Sequence, residues 1–342
     1  MRCLNVDTDK KISKIGLGTW QFGSREWGYG ESYAGQEASA IVRRALKLGV
    51  TLFDTAEIYG SGRSERILGR ALGDSREAVF LATKLVPVVP SALAVRQRAA
   101  ASAKRLGVSR LDLYQVHWPN PLVPDSTIMR GMRLLQGSGL VGEVGVSSYS
   151  LAQWRTAEEK LGSRVLCNQV RYSLVDRSPE RDLLPFAAAH GHVIIAFSPL
   201  AQGLLSGRYH GAGLPANSIR TSSPLFRPEN LERTSELIAA LREVADAHSA
   251  TPAQIALAWA IRHPAVAAIP GASSVEQVES NVAAAEIELA DDECQALDKA
   301  SARCCPTAVP GRPERTNLSA LEHSARSGWY LAKTVWHDLR RQ

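Results

Sequence analysis

The sequence has no CxxC pair, no GxGxxG turn after an early strand and no apolar run long enough to cross a bilayer. Each absence closes a class. The five cysteines, Cys3, Cys167, Cys294, Cys304 and Cys305, are odd in number and end in an adjacent pair, so they fit neither a disulfide framework nor a zinc site. No metal is expected. Without GxGxxG after an early strand, a doubly wound dinucleotide sheet loses its usual signature. The formal charge of +6 comes from 40 Lys and Arg scattered among 34 Asp and Glu, which leaves no basic stripe for nucleic acid. The opening MRCLNVDTDKK lacks the apolar core of a secretory signal. The expectation is a cytoplasmic chain with reduced thiols and no membrane partner. Oligomeric state leaves no signal.

What is present is size and alternation. A chain of 342 residues, 45% of them hydrophobic, suits one large α/β barrel. Short apolar runs lie at 14–17, 50–53, 78–82, 111–116, 141–146, 165–170, 193–197 and 266–269. Helical patterns lie between them at 35–48, 64–72, 92–106, 128–136, 151–160, 179–189, 231–247 and 275–285. Such repeats mean parallel strands joined by crossovers, and eight parallel strands close on themselves. The expected fold is α/β, a single (β/α)8 TIM barrel over 1–302. Residues 4–12, turning at Asp7-Thr8-Asp9, read as an N-terminal β-hairpin that plugs the barrel bottom. The stretch 204–230, rich in Gly, Pro and Ser, is too long for a plain connection and reads as a functional loop. Beyond about Ala302 the alternation stops. Residues 303–342 are expected to form a C-terminal extension, a loop plus an amphipathic helix with Trp329, Ala332, Trp336 and Leu339 on one face, packed on the barrel.

Three consecutive strand ends deliver polar groups. FDTAEIYGSGRSE, residues 53–65, places Asp54 at the end of the second run and Tyr59 five residues later. VFLATK ends in Lys84 and DLYQVH in His117. In a parallel barrel these ends share one mouth. A phenol with its ordinary pKa near 10 is a weak proton donor at neutral pH. A nearby ammonium favours the phenolate and lowers that value, while a carboxylate holds the ammonium. An imidazole beside them can orient a substrate oxygen. Together they would protonate an oxygen that turns negative, as carbonyl reduction by hydride requires. Singly, each residue has a plainer role: a snorkelling lysine, a turn-forming aspartate, a core histidine. Joint arrival at one mouth is what favours chemistry.

From about 12 to 300 the chain resembles the aldo-keto reductases. GLGTWQFG, FDTAEIYGSGRSE, LATK, LDLYQVHWP, GVSSYS, NQVRYSL, AFSPLAQGLLSGRY and IPGASSVEQVESN follow that family's order. The resemblance implies reversible reduction of aldehydes or ketones to alcohols with NADPH, NADH not being excluded. It implies Tyr59 as general acid, Lys84 as its pKa partner, Asp54 as the holder of Lys84 and His117 as the group that orients the carbonyl. For the cofactor it implies Ser147, Ser148 and Gln169 at the nicotinamide carboxamide, and Phe197 stacked on the ring. Ser198, Leu200 and Gly203 would meet the pyrophosphate, and Ser273, Gln277 and Asn281 the adenosine end. Thr19, Trp20, Asp54, Leu205 and Gly271 complete the implied cofactor set.

The substrate pocket is expected from Trp20, Trp27, Tyr59, Val86, His117 and Trp118, though these aromatics could equally fill the core. Its apolar character favours small carbonyl compounds with aromatic or aliphatic bodies. Four departures from the family stand out: Ser148 where Asn is common, Phe197 where Tyr is common, Asn120 for a frequent Asp, and no Arg or Lys within GASSVEQVESN. The last removes the usual charged partner of a 2′-phosphate. The family also allows another reading, a cofactor-binding regulatory protein resembling a channel β-subunit, with little turnover and the tail as its partner-binding part.

Overall fold

The computed structural model describes residues 1–23, 36–88, 91–211, 213 and 219–304. Eight strands form one sheet in chain order: β1 (Leu17–Gly18), β2 (Leu52–Asp54), β3 (Phe80–Leu85), β4 (Leu111–Val116), β5 (Val141–Ser147), β6 (Cys167–Arg171), β7 (Val193–Phe197) and β8 (Val266–Ala268). Every neighbouring pair is parallel. The sheet closes where Gly16 N–H donates to Ala268 O at 2.8 Å, Ala268 N–H to Lys14 O at 2.8 Å and Gly18 N–H to Pro270 O at 3.1 Å. This is the expected (β/α)8 barrel.

Helices cover the outside because each carries one apolar stripe. In Glu37–Lys47 the buried residues Ala38, Ile41, Val42 and Ala45 recur at helical spacing. Ser91, Ser150, Thr251 and Ser274 accept from the backbone N–H three residues on and so fix where their helices start. Two long helices lie outside the sequence expectations. Pro252–Ile261 is buried at every position from Ile255 to Ile261, which erases the amphipathic period. Asp291–Arg303 follows the last strand and its helix. The pattern at 179–189 divides into a 3₁₀ turn, Ser178–Arg181, and a helix, Leu183–His190.

The expected hairpin plugs the barrel. Leu4 N–H donates to Ile12 O at 2.8 Å, and Leu4 and Ile12 pack inside against Leu52, Phe80, Leu113, Leu166, Val193 and Ile195. Above that apolar floor, Lys84, Gln115, Gly145 and Cys167 pair in register across β3, β4, β5 and β6. The described part of 204–230 is largely 3₁₀ turns, including Arg208–His210 and Pro224–Phe226. Residues 305–342, with the expected tail helix, and Trp27 lie outside the described residues. Among the described residues no helix is long and apolar enough to cross a membrane.

Candidate active site

The turn after β2 is built to hold Tyr59 still. Thr19 donates to Asp54 O from both its N–H and its Oγ1, each at 2.9 Å. The buried Ser64 hydroxyl donates to Thr19 O at 2.7 Å and receives Thr55 Oγ1 at 2.9 Å. Gly60 takes φ +54°, and a Cβ there would lie 2.2 Å from Gly23 O. Only glycine tolerates both the dihedral and the approach. Glu57, between Asp54 and Tyr59, accepts from Val86 N–H at 2.5 Å, which fastens the turn to the end of β3.

Lys84 sits at the centre with no solvent exposure. Its Nζ donates to Asp54 Oδ1 at 2.6 Å, to Thr55 O at 2.8 Å and to the Tyr59 hydroxyl at 3.4 Å. Burial works against the ammonium, but Asp54 and Tyr59, through charge and hydrogen bonds, outweigh it and leave the Lys84 pKa raised. Asp54 Oδ2 receives Gln169 Nε2 at 2.8 Å. His117 is placed by its N–H, which donates to Leu85 O at 2.9 Å. Its ring stands edge-on to that of Tyr59, 5.8 Å between centroids at 79°, and 4.7 Å from Trp118. Trp20 stacks on Tyr59 as well, its ring 6.2 Å away at 28°.

One expectation needs correction. The charge of Lys84 is expected to lower the Tyr59 pKa. In the structure burial is the larger influence and raises it, with the Lys84 charge opposing and the Asp54 charge adding to the rise. The Tyr59 ring keeps some exposure to the cleft, but protein surrounds its hydroxyl closely enough for desolvation to win.

These groups open into a cleft of about 1400 Å³. Thr19, Trp20, Asp54, Tyr59, His117, Trp118, Ser147, Ser148, Gln169, Phe197, Ser198, Leu200, Gly203, Gly271, Ser273, Gln277 and Asn281 all line it. Two expected members do not. Val86 is buried at 1% exposure, and Leu205 is buried in the core with its N–H donating to Leu200 O at 3.3 Å. Ser273 donates from N–H and Oγ to Gln277 Oε1 at 2.8 and 3.0 Å, and Asn281 Nδ2 donates to Gly271 O at 3.3 Å. Positive φ values gather along the cleft at Ser148, Ser198, Gln202 and Gly203. Strain of this kind concentrates at binding sites. Among the described residues no three or more His, Cys, Asp or Glu gather to hold a metal.

Residues 14–302 match the family model described as Aldo/keto reductase family. The chain belongs to that family. It is similar to an oxidoreductase of Mycobacterium tuberculosis strain H37Rv, 56% identical over 301 residues that cover 88% of this chain and 93% of the relative. A methylglyoxal reductase of Escherichia coli K12 is 33% identical, covering 87% and 94%. The crystal structure of an aldo-keto reductase from Klebsiella pneumoniae in complex with NADPH superposes with a TM-score of 0.71 at 31% identity, over 90% of this chain and 96% of that one.

As an aldo/keto reductase the chain holds cleft residues that sequence reasoning missed. Arg208 and Arg220, on the long loop, flank Tyr209 at 5.3 and 5.5 Å, and Arg220 Nε donates to Gln202 O at 2.8 Å. Both line the cleft beside Gly203. No local pattern marks them, because the loop alone carries them there. Arg171, at the end of β6, lies 5.8 Å over the Phe197 ring. Gln115 is fully buried beneath Asp54. Its signal was available: a polar residue in mid-strand within LDLYQVH.

Proposed function

We propose that the protein reduces aldehydes or ketones to alcohols with NADPH, Tyr59 giving the proton. The observation that carries this reading is the buried array in which Lys84 Nζ lies 2.6 Å from Asp54 and 3.4 Å from the Tyr59 hydroxyl at the floor of a cleft. A phenol whose pKa is raised by burial stays protonated through neutral pH, so it is loaded as a donor. As its proton passes to the carbonyl oxygen, the Lys84 ammonium offsets the phenolate that forms. Asp54 keeps that ammonium in place. His117, facing both the Tyr59 ring and the cleft, would orient the oxygen.

The residues fit a dinucleotide. The Gln202 amide oxygen is buried with no hydrogen-bond partner among the described residues, in a residue that lines the cleft at positive φ. The chemistry NADPH would supply there is hydride for the carbonyl carbon. Ser147, Ser148 and Gln169 would hold its nicotinamide end, Phe197 its ring, and the turn Ser198–Gly203 its pyrophosphate. Ser273, just before the helix Val275–Ala283, and Gln277 and Asn281 on it would hold the adenosine near that helix N-terminus. Arg208 and Arg220 line the cleft beside the turn Ser198–Gly203 and would put positive charge at the pyrophosphate, which NADPH and NADH share.

The substrate wall near Tyr59 is apolar, with Trp20, Trp118, Pro119, Pro121 and Val123. It suits small carbonyl compounds with aliphatic or aromatic bodies, and the name of the Escherichia coli relative puts a small 2-oxoaldehyde first on the panel. The test follows loss of NADPH absorbance with aromatic, aliphatic, sugar and 2-oxo aldehydes, for the parent and Tyr59→Phe. Oxidation that requires both the carbonyl and Tyr59 is expected. Tight NADPH binding without turnover across the panel would overturn the reading in favour of a regulatory, cofactor-binding protein.

A further inference from the structure

Beneath the cleft, beside the buried Asp54, Lys84 and Gln169, β4 delivers Gln115 with no solvent exposure. Its Oε1 accepts from Gln169 Nε2 at 3.3 Å and from the Cys167 thiol at 3.4 Å. Its Nε2 points at Asp54 Oδ2, 3.5 Å away. Burial, with the Asp54 charge adding to it, pushes the Cys167 thiol far above its ordinary pKa, so the sulfur keeps its proton and acts as a donor. Gly145 makes the room: a Cβ there would meet Cys167 Sγ at 2.6 Å and Gln115 Cγ at 2.9 Å.

The consequence is a fixed amide sense at Gln169. One N–H goes to Asp54 Oδ2 at 2.8 Å, and the other goes to Gln115 Oε1 at 3.3 Å. An amide oxygen turned the other way would face a carboxylate. Oε1 is therefore the atom that Gln169 offers to the cleft it lines.

We propose that Gln115 is a positioning residue that locks the Gln169 amide with its oxygen toward the cleft. This rests on the reading of Gln169 as the residue that meets the nicotinamide carboxamide. Held this way, Gln169 accepts from the carboxamide NH₂. Asp54 then serves both halves of the site, through Oδ1 with Lys84 on the proton side and Oδ2 with Gln169 on the cofactor side.

The test is a double-mutant cycle on NADP⁺ affinity in the full chain, read by intrinsic fluorescence, since Trp20 and Trp118 line the cleft. The variants are Gln115→Met, which roughly keeps the volume, Gln169→Leu and the double; Gln115→Leu repeats the first. Each single is expected to weaken NADP⁺ binding about tenfold, equivalent to about 1.4 kcal/mol. The double should bind no more weakly than Gln169→Leu alone, because Gln115 acts through Gln169. A merely structural role would add its loss in both backgrounds, and that additivity would overturn the proposal. Parent-like affinity in folded Gln115 variants, with Gln169→Leu weakened, would overturn it while leaving the Gln169 reading intact. Parent-like affinity in Gln169→Leu would sink both.

Discussion

Glu57 holds Arg98 in a two-pronged ion pair, Nε to Oε2 at 3.0 Å and the terminal nitrogen to Oε1 at 2.5 Å. The glutamate lies between Asp54 and Tyr59, the arginine on the helix Ala92–Leu106, and both side chains are largely buried. Burial raises the Glu57 pKa while Arg98 opposes the rise. Glu57→Gln leaves the guanidinium without its charge partner, and breaking a buried pair costs about 3–5 kcal/mol. We expect about 3 kcal/mol of lost stability in denaturant unfolding and a fall in kcat as Tyr59 loses its fixed position. An unchanged unfolding midpoint would count against the clamp.

Tyr59→Phe removes the donor and little else, since the ring keeps its contacts with Trp20 and His117. Turnover should fall by about 10²–10⁴-fold, the usual span for general acid catalysis. NADP⁺ affinity should hold within about twofold, because the lost hydroxyl is bonded to Lys84 and not to a residue assigned to the cofactor. Binding and rate, measured on the same preparation, separate the two effects.

Alkaline pH should weaken the fold. Lys84 and Tyr59 both have raised pKa values in the folded chain, from ordinary values of 10.5 and 10.0. Above pH 10 the unfolded chain releases these protons first, so the native state binds more protons and stability falls as pH rises. Their contribution is complete below pH 10 and is lost through the folded values. Denaturant midpoints taken from pH 8 to 11 should decline less steeply in Tyr59→Phe than in the parent. A parallel decline would show that Tyr59 does not take part.

Arg208→Ala and Arg220→Ala test the cofactor phosphate. Each should raise the KM for NADPH about 10- to 100-fold, the worth of a charged hydrogen bond of about 1.5–3 kcal/mol. The KM for NADH should rise alike, since the pyrophosphate is common to both cofactors. A loss confined to NADPH would overturn the pyrophosphate role and move the arginines to the 2′-phosphate.

Gly60→Ala combines a left-handed φ with a collision against Gly23 O. Even the dihedral alone costs about 1–2 kcal/mol. A melting temperature lowered by several degrees is expected, together with weaker turnover, because the displaced backbone is the one that carries Tyr59. Calorimetry alongside kinetics reads both.

The barrel was legible in the sequence because parallel strands buried on both faces appear as short continuous apolar runs, and the eight helical patterns between them showed the crossovers. Asp54, Tyr59, Lys84 and His117 were legible for a related reason: each stands at or just past a strand end, where period and polarity change together. Strand limits were less clear, since β3 runs from Phe80 to Leu85 rather than from 78 to 82. Pro252–Ile261 hid because a helix buried all round has no polar face, although the capping box of Thr251 and Gln254 announces it. Arg208 and Arg220 were not legible at all. Only the course of the 3₁₀ turns brings them to the cleft, and no spacing rule connects them to Ser273. The sign of the Tyr59 shift was likewise beyond the sequence, which shows the neighbouring charge but not how closely protein surrounds the hydroxyl.

The seam of the barrel has a consequence for synthesis. Residues 14–18 have β2 as their neighbour on one side and, on the other, only 266–271. A nascent chain growing from the ribosome therefore carries an incomplete sheet, with its first edge unsatisfied, until nearly the whole barrel has been translated. Ring closure, the pairing of longest sequence separation and so entropically the slowest contact, must come last. Until then the exposed strand edge is open to pairing with other chains, and in the cell the interval is one in which a chaperone would find its substrate.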